Sequence, residues 1–423
     1  MGALNTLNLL IRSRRNQWLK RSELDDLQTK KLRAIIKHAY NTTEFYHRKF
    51  KHAGIDPGDI RSLKDLHKIP FTTKSELRDT YLNKMLSKGT DLSKCRIIPT
   101  SGSTGTPLKM VYDQNADDFS KANNLRSMIE NGLGIRDRWV NIGDTRTVRK
   151  PTWFQKLGIL NLQTLNLFDD IDKQIDELKN INPDTIIGYP SQLKLLAQYI
   201  SKHAITGISP RNVFTTAELL DEGTRKLINS GFNVNVVDLF GCIELNRTAW
   251  ECSEHQGYHI DVDAIVMEFL NGNEAVSPGE RGRIVYTSLF NYAMPLIRYD
   301  IGDIAIPCEE LCDCGRGLPL MKSIEGRTDD FILLPNGKSI SPIVFALILK
   351  HSDGVKEYQI LQTDKKHISV TLNVSEKFDK SKEEHIRREI ITILNNEISI
   401  DIKYVSKIQA GTTGKIRSVI SKV

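Results

Sequence analysis

Short apolar or alternating runs of strand length, bounded by turns with glycine and proline, recur from about Arg96 onward; Val234 to Phe240, Arg283 to Thr287 and Asp303 to Ile306 are examples. Stretches of helical spacing, such as Pro190 to Lys202, lie between them. A strand returns a side chain to one face every second residue and a helix about every 3.6 residues. A chain that keeps switching between these periods buries both kinds of face by laying helices on a sheet, so an α/β core is expected. Ahead of that core the pattern is helical, with Leu32, Ile35, Ile36, Ala39 and Tyr40 recurring between Leu27 and Tyr40. After Gly326 it changes again. Phe331 to Ser339 reads as a hairpin turning at Pro335-Asn336-Gly337, a helix follows, and Ile368, Val370 and Leu372 alternate. The last helix carries Ile386, Ile390, Ile393 and Leu394 on one face and precedes a strand with Ile398, Ile400, Ile402 and Tyr404. The chain of 423 residues, at about 150 residues per domain, is therefore divided into a large domain, 1–328, and a small α+β domain, 329–423.

Composition removes several classes of function. Hydrophobic residues at 39% and charged residues at 26% suit a globular protein. The net charge of +7 arises from 59 basic and 52 acidic residues that are mixed along the chain. No basic block tracks a phosphate backbone, so a nucleic-acid partner is not expected. No apolar run approaches the roughly 20 residues that cross a bilayer, so a cytoplasmic protein without membrane insertion is expected. Arg12, Arg14 and Arg15 read as a solvated helix face, and Met1 to Thr6 meets only the loose constraints of a myristoylation pattern.

The segment Ile98-Pro99-Thr100-Ser101-Gly102-Ser103-Thr104-Gly105-Thr106-Pro107 follows an apolar strand with a turn of hydroxyl side chains and glycines. Such a turn offers backbone N–H groups and hydroxyls to an anion. Its spacing is neither that of a Walker A loop nor that of the dinucleotide fingerprint. Taken alone it equally describes a Ser/Thr-rich surface loop. Further segments follow in order: Thr215-Thr216-Ala217-Glu218, Phe240-Gly241-Cys242-Ile243-Glu244, Arg298-Tyr299-Asp300-Ile301-Gly302-Asp303, Gly326-Arg327-Thr328-Asp329-Asp330 and Gly414-Lys415. Together they resemble the adenylate-forming superfamily, in particular its phenylacetate-CoA ligase and CapK-like branch. Phe45-Tyr46-His47-Arg48 and Ile69-Pro70-Phe71-Thr72-Thr73-Lys74 resemble the leader of that branch.

The resemblance implies an α/β protein with a large multi-sheet N-terminal adenylation domain and a small α+β C-terminal lid, and it implies ATP-dependent, AMP-forming activation of a small carboxylic acid. Ser101, Gly102, Ser103, Thr104, Gly105 and Thr106 would cradle the phosphates, with Glu218, Phe240, Gly241 and Arg327 also at the nucleotide. Glu244 would hold Mg²⁺ against the phosphates, where the cation offsets the charge of the transfer. Asp303 would accept from the ribose hydroxyls, a task suited to an acceptor-only carboxylate. Lys415 would contact the acid and the α-phosphate, and Asp329 would be the hinge that moves it away after the first step. Outside these motifs, Glu244 reads as a solvated glutamate, Asp303 or Arg327 as half of a surface ion pair, and Lys415 as a solvent-facing terminal lysine. No lysine follows Pro107 directly, so Lys109 receives no role.

Six cysteines in a chain of this length make no disulfide framework. Cys252, His259, Cys312 and Cys314 offer four ligands of the type Zn²⁺ takes, and a site with four protein ligands is structural. Unligated thiols are the alternative, with Cys308 and His255 as substitute ligands. Cys95 and Cys242 read as core or site-lining residues. His259 is preferred to His255 because Gly257-Tyr258-His259 resembles the branch's pattern.

In the resembled fold the acid lies beside Tyr189, Pro190, Ser191 and Ala217, and an aromatic acid is the default; Tyr189 equally reads as a half-buried packing residue. Coenzyme A is the first expectation for the acceptor. An amine acceptor in polysaccharide or secondary-metabolite biosynthesis is the alternative, and a nucleotide-binding, zinc-braced scaffold is the non-enzymatic one. A homodimer is a family-level expectation.

Overall fold

The computed structural model describes residues 2–80, 82–99, 108–143, 145, 153–327, 330–337, 339–340, 342–409 and 417–423. It divides into two compact units that interleave in sequence, Met1–Leu133 with Val237–Ile324 and Gly134–Val236 with Glu325–Val423. No helix among the described residues is long and apolar enough to cross a membrane.

The first unit opens with the helices Gly2–Asn16, Arg21–Thr42 and Glu44–His52. Leu24, Leu32, Ile35, Ile36 and Ala39 form the buried face of the second, as the helical spacing of the sequence predicts. Thr43 separates it from the third. Its extended backbone stops one helix, and its hydroxyl accepts the Tyr46 N–H that begins the next. These helices precede a sheet whose order is Glu274–Ala275, Ile265–Asn271, Gly282–Ser288, Tyr299–Pro307, Leu320–Arg327, Tyr258–Ile260, Asn246–Glu251, Val237–Cys242. The pairs flanking the later site are antiparallel, including Val237–Cys242 with Asn246–Glu251 and Asn246–Glu251 with Tyr258–Ile260. The strands expected at 234–240, 283–287 and 303–306 fall within or overlap observed strands of this sheet.

The Ile69–Lys74 leader is fastened to this sheet. Thr72 and Thr73 run parallel to Tyr299 and Asp300. Two guanidinium groups lie over the Phe71 ring, Arg298 at 4.3 Å and Arg283 at 4.7 Å from its centroid, contacts favoured by the ring's quadrupole. Arg298 is buried, pairs with Glu268 and donates to the Ile69 carbonyl at 2.6 Å.

The second unit contains a parallel sheet in the order Asn161–Asn166, Arg138–Gly143, Thr185–Gly188, Asn212–Thr216. Connecting helices Ile171–Ile181, Pro190–Lys202 and Glu222–Phe232 contribute apolar faces to a core with Val140, Ile142, Ile186 and Val213. Pro190 starts its helix where a missing N–H costs nothing. The last part of the chain forms a four-stranded sheet in the order Ser399–Tyr404, His367–Val374, Val355–Asp364, Val419–Ser421. Ile368, Val370 and Leu372 meet Ile386 and Ile390 of the Lys380–Ile393 helix in its core. Ahead of it, Ile332–Leu333 pairs antiparallel with Ser339–Ile340, and Gly337 takes the positive φ of +85° that the predicted turn requires.

Candidate active site and metal centre

Glu244 sits in the short turn that joins the antiparallel strands Val237–Cys242 and Asn246–Glu251. Close approach of these strands makes Gly241 obligatory, because a Cβ there would lie 2.0 Å from the Asn246 carbonyl oxygen. A bulge between Phe240 and Gly241 breaks the register at this point. Bulges of this kind re-aim the side chains that follow. Glu244 is 3% exposed. Its Oε1 accepts the Tyr299 hydroxyl at 3.0 Å and lies 3.5 Å from Lys74 Nζ. Its backbone carbonyl accepts the Tyr112 hydroxyl at 2.8 Å.

Asp303, on the Tyr299–Pro307 strand, is also buried. Burial pushes the Cys242 thiol well above its ordinary range, and the negative charges of Glu244 and then Asp303 push it further. Burial likewise raises Tyr286, with Asp303, Cys242 and Glu244 adding to the shift. Both acids therefore act on the same two neutral groups, and Cys242 stays a thiol with no nucleophilic character. Two carboxyl groups gathered in a buried place can meet positive charge or hydroxyl donors.

In the second unit, Glu218 Oε2 accepts the Ser191 N–H at 3.0 Å, at the start of the Pro190–Lys202 helix. A carboxylate is favoured at that end of a helix. Ala217 holds a positive φ of +68° in the turn after the Asn212–Thr216 strand. Pro190 is buried, and Tyr189 packs partly buried on the apolar core of this unit. Ser101, Gly102, Ser103, Thr104, Gly105, Thr106, Asp329 and Lys415 lie outside the described residues, as does the side chain of Arg327. The described neighbours of the last two loops are bonded to each other: Arg417 Nε donates to Asp330 Oδ1 at 2.9 Å.

Sequence reasoning gave no role to Lys74, Tyr299 or Tyr112, the side chains that hold Glu244 in place. Lys74 and Tyr299 stand inside the segments Ile69 to Lys74 and Arg298 to Asp303. What hides their role is the pairing of residues 72–73 with 299–300, a contact between segments far apart in the chain.

A second constellation lies at the far end of the Asn246–Glu251 strand. Cys252, His259, Cys312 and Cys314 place one ligand atom each within 4.8 Å of all the others. Cys252 Sγ is 3.5 Å from Cys312 Sγ, and Cys314 Sγ is 3.3 Å from His259 Nε2. Zn–S bonds of about 2.3 Å in a tetrahedron separate sulfurs by about 3.8 Å. The three sulfurs share a further property: each accepts a backbone N–H from two residues on, Cys252 from Glu254, Cys312 from Cys314 and Cys314 from Arg316. Such donors favour thiolates. Burial raises Cys252 and Cys312, whereas at Cys314 the Arg316 backbone and guanidinium overcome burial and lower the thiol. Burial, followed by the charge of Arg316, drives His259 down to about 4, which leaves it neutral as a ligand must be. Soft thiolates with one neutral imidazole fit Zn²⁺ and leave no open position. Cys308, Cys242 and Cys95 are not part of the group, and His255 instead faces Glu251 at 3.6 Å.

A strand of six residues rising about 3.3 Å each separates Glu244 from Cys252 by roughly 20 Å. A metal ion held by these four residues would thus brace one end of a hairpin whose other end carries Glu244.

Comparison with known proteins places these features in context. Residues 332–422 match the CapK C-terminal domain. Phenylacetate-coenzyme A ligase of Thermus thermophilus is 29% identical over 358 residues, 81% of this chain and 79% of that protein. Phenylacetate-coenzyme A ligase of Escherichia coli is 30% identical over 332 residues, 76% of this chain and 74% of that protein. Among solved structures, 2-hydroxyisobutyryl-CoA ligase in the postadenylation state with 2-HIB-AMP superposes with a TM-score of 0.79 at 21% identity, covering 96% of this chain and 91% of that one.

Proposed function

The chain belongs to the phenylacetate-coenzyme A ligase family of adenylate-forming enzymes, and on that premise we propose that it activates a small carboxylic acid with ATP and passes the acyl group to coenzyme A. In the first step a carboxylate oxygen attacks the α-phosphorus, the bond to pyrophosphate breaks, and an acyl-adenylate forms. In the second a thiolate attacks the acyl carbon and AMP leaves. A carboxylate is a poor electrophile, and the mixed anhydride provides the leaving group it lacks.

The observation that carries this reading is the burial of Glu244 and Asp303 where both act on Cys242 and Tyr286. Glu244 presents carboxylate oxygens, the donor type that Mg²⁺ takes, and would hold the ion that offsets phosphate charge. Asp303 would accept from the ribose. The loop of Ser101 to Thr106 would enclose the phosphates together with Glu218, Phe240, Gly241 and Arg327, while Tyr189, Pro190, Ser191 and Ala217 would line the acid pocket. Residues 329–423 would act as a lid that turns at Asp329 and brings Lys415 to the α-phosphate. Cys252, His259, Cys312 and Cys314 would hold a structural zinc ion, and ATP and coenzyme A as substrates fit a cytoplasmic enzyme.

The test is pyrophosphate exchange over a panel that includes phenylacetate, other aromatic acids and short hydroxy acids, followed by mass analysis of products formed with coenzyme A or with amino sugars. A thioester from at least one acid is the expected product. An amide would favour the second reading, an amine acceptor. Nucleotide binding without exchange for any acid would leave only a scaffold. Within the enzyme reading, Lys415→Ala is expected to abolish exchange, and exchange at the wild-type rate would remove Lys415 from the mechanism.

A further inference from the structure

The loop that carries Cys312 and Cys314 also holds Arg316, a buried arginine with partners on every side. Its Nη2 donates to Glu130 Oε2 at 2.9 Å and its Nε to Gln17 Oε1 at 3.2 Å, while the guanidinium also donates to the Cys314 sulfur. The guanidinium carbon lies over two indoles, 4.9 Å from the Trp18 ring centre and 5.2 Å from that of Trp250. Trp250 in turn stands 5.2 Å from the His259 ring. One residue further on, the Gly317 N–H donates to the Gln17 carbonyl at 2.9 Å, and the Leu19 carbonyl oxygen lies 1.9 Å from where a Cβ on Gly317 would be. The metal loop is therefore pressed against residues 17–19, the connector between the Gly2–Asn16 and Arg21–Thr42 helices.

Charge gives this packing a direction. A divalent ion with three thiolates and a neutral imidazole leaves one net negative charge in a buried place, a costly arrangement unless it is matched. Arg316 supplies the matching positive charge at the Cys314 sulfur. Glu130 beside it is balanced in turn by Arg14, at 2.6 Å, from the first helix.

We propose that Arg316 is the outer positioning residue of the metal centre, and that through it metal occupancy sets how firmly the connector at residues 17–19 is held. This rests on the metal reading above, so the first experiment tests that reading alone. Full-length protein is loaded with cobalt(II), and an equimolar site with thiolate-to-metal charge-transfer absorption is expected; no such band would overturn the reading and the proposal with it. Once the band is present, chelator competition is applied to Arg316→Met. Zinc affinity is expected to fall about 10- to 100-fold, the range seen when outer partners of a metal site are removed. Limited trypsin digestion reads the coupling. Cleavage between Arg12 and Arg21 is expected to accelerate when a chelator strips the wild type, and to be fast in metal-loaded Arg316→Met. Trp18 is 54% exposed, so Trp18→Leu serves if Arg316→Met does not fold, with a several-fold loss of zinc affinity and an unchanged cobalt spectrum expected. Wild-type zinc affinity in the variant used, or tryptic cleavage of the wild type that ignores the metal, would overturn the proposal while leaving the metal site itself intact.

Discussion

Two groups of buried acids occur in the same unit, and they are balanced in different ways. Asp261 and Asp263 meet Arg126, which lies 2.5 Å from Asp261 Oδ1 and 3.0 Å from Asp263, with all three side chains at most 1% exposed. Asn123 and the Trp250 indole donate to Asp261, and Asn16 donates to Asp263. Arg126 and Lys31 hold the Asp263 carboxyl below its usual range against the effect of burial, whereas at Asp261 burial prevails and raises it to about 6. Glu244 lies instead near a thiol and a phenol that stay protonated, and the ammonium that reaches it stands 3.5 Å away on a partly exposed lysine. The first group has its counter-charge built into the core. Glu244 has only a partly exposed lysine as its cation, an arrangement that suits the proposed exchange for a magnesium nucleotide. Burial of acids alone distinguishes neither; the kind of counter-charge does.

The sharpest break of this contrast is Arg126→Met. Removing one member of a buried ion group leaves the others without compensation and costs about 3–5 kcal/mol, so urea unfolding is expected to show a loss of that size. A loss below about 1 kcal/mol would mean that Arg126 is no more than a surface-type pair. The opposite profile is expected of Glu244→Gln, which keeps the shape and the Tyr299 contact while removing the charge. Pyrophosphate exchange should fall about 10²- to 10³-fold, the scale of a lost electrostatic contact in a transfer step, with little change in unfolding. Exchange within a few-fold of the wild type would take Glu244 out of the reaction.

Why one group and not the other was visible in the sequence follows from what each depends on. Glu244 and Asp303 stand in short motifs whose spacing survives in the linear chain. The predicted Gly337 turn, the Pro190 helix start and the Ile386–Ile390 face were legible for a similar reason, since each rests on local backbone geometry or helical periodicity. The ligand set needed one step more: the types of Cys252, His259, Cys312 and Cys314 suggested a metal, but only strand pairing of Tyr258–Ile260 with Leu320–Arg327 draws His259 toward the Cys312 loop. Arg126 and Arg316 were not legible. Isolated arginines in helical or loop contexts look like surface residues, and what buries them is packing against Ser13, Gln17 and Trp18 near the start of the chain.

Lys74 gives the smallest expected effect and the finest test of the contrast. If its ammonium is a placeholder for the cation of the nucleotide, it competes with that cation for Glu244; if it is a structural counter-charge like Arg126, the fold needs it. Two charges 3.5 Å apart attract by about 1 kcal/mol when water screens them fully, and a side chain that is 24% exposed is partly in that regime. Lys74→Met should therefore leave unfolding unchanged within about 1 kcal/mol and lower the magnesium concentration for half-maximal pyrophosphate exchange several-fold. Destabilisation on the scale expected for Arg126→Met, with no change in magnesium dependence, would place Lys74 and Glu244 in the same class as the Arg126 group, and the distinction between fixed and exchangeable counter-charge in this unit would fall.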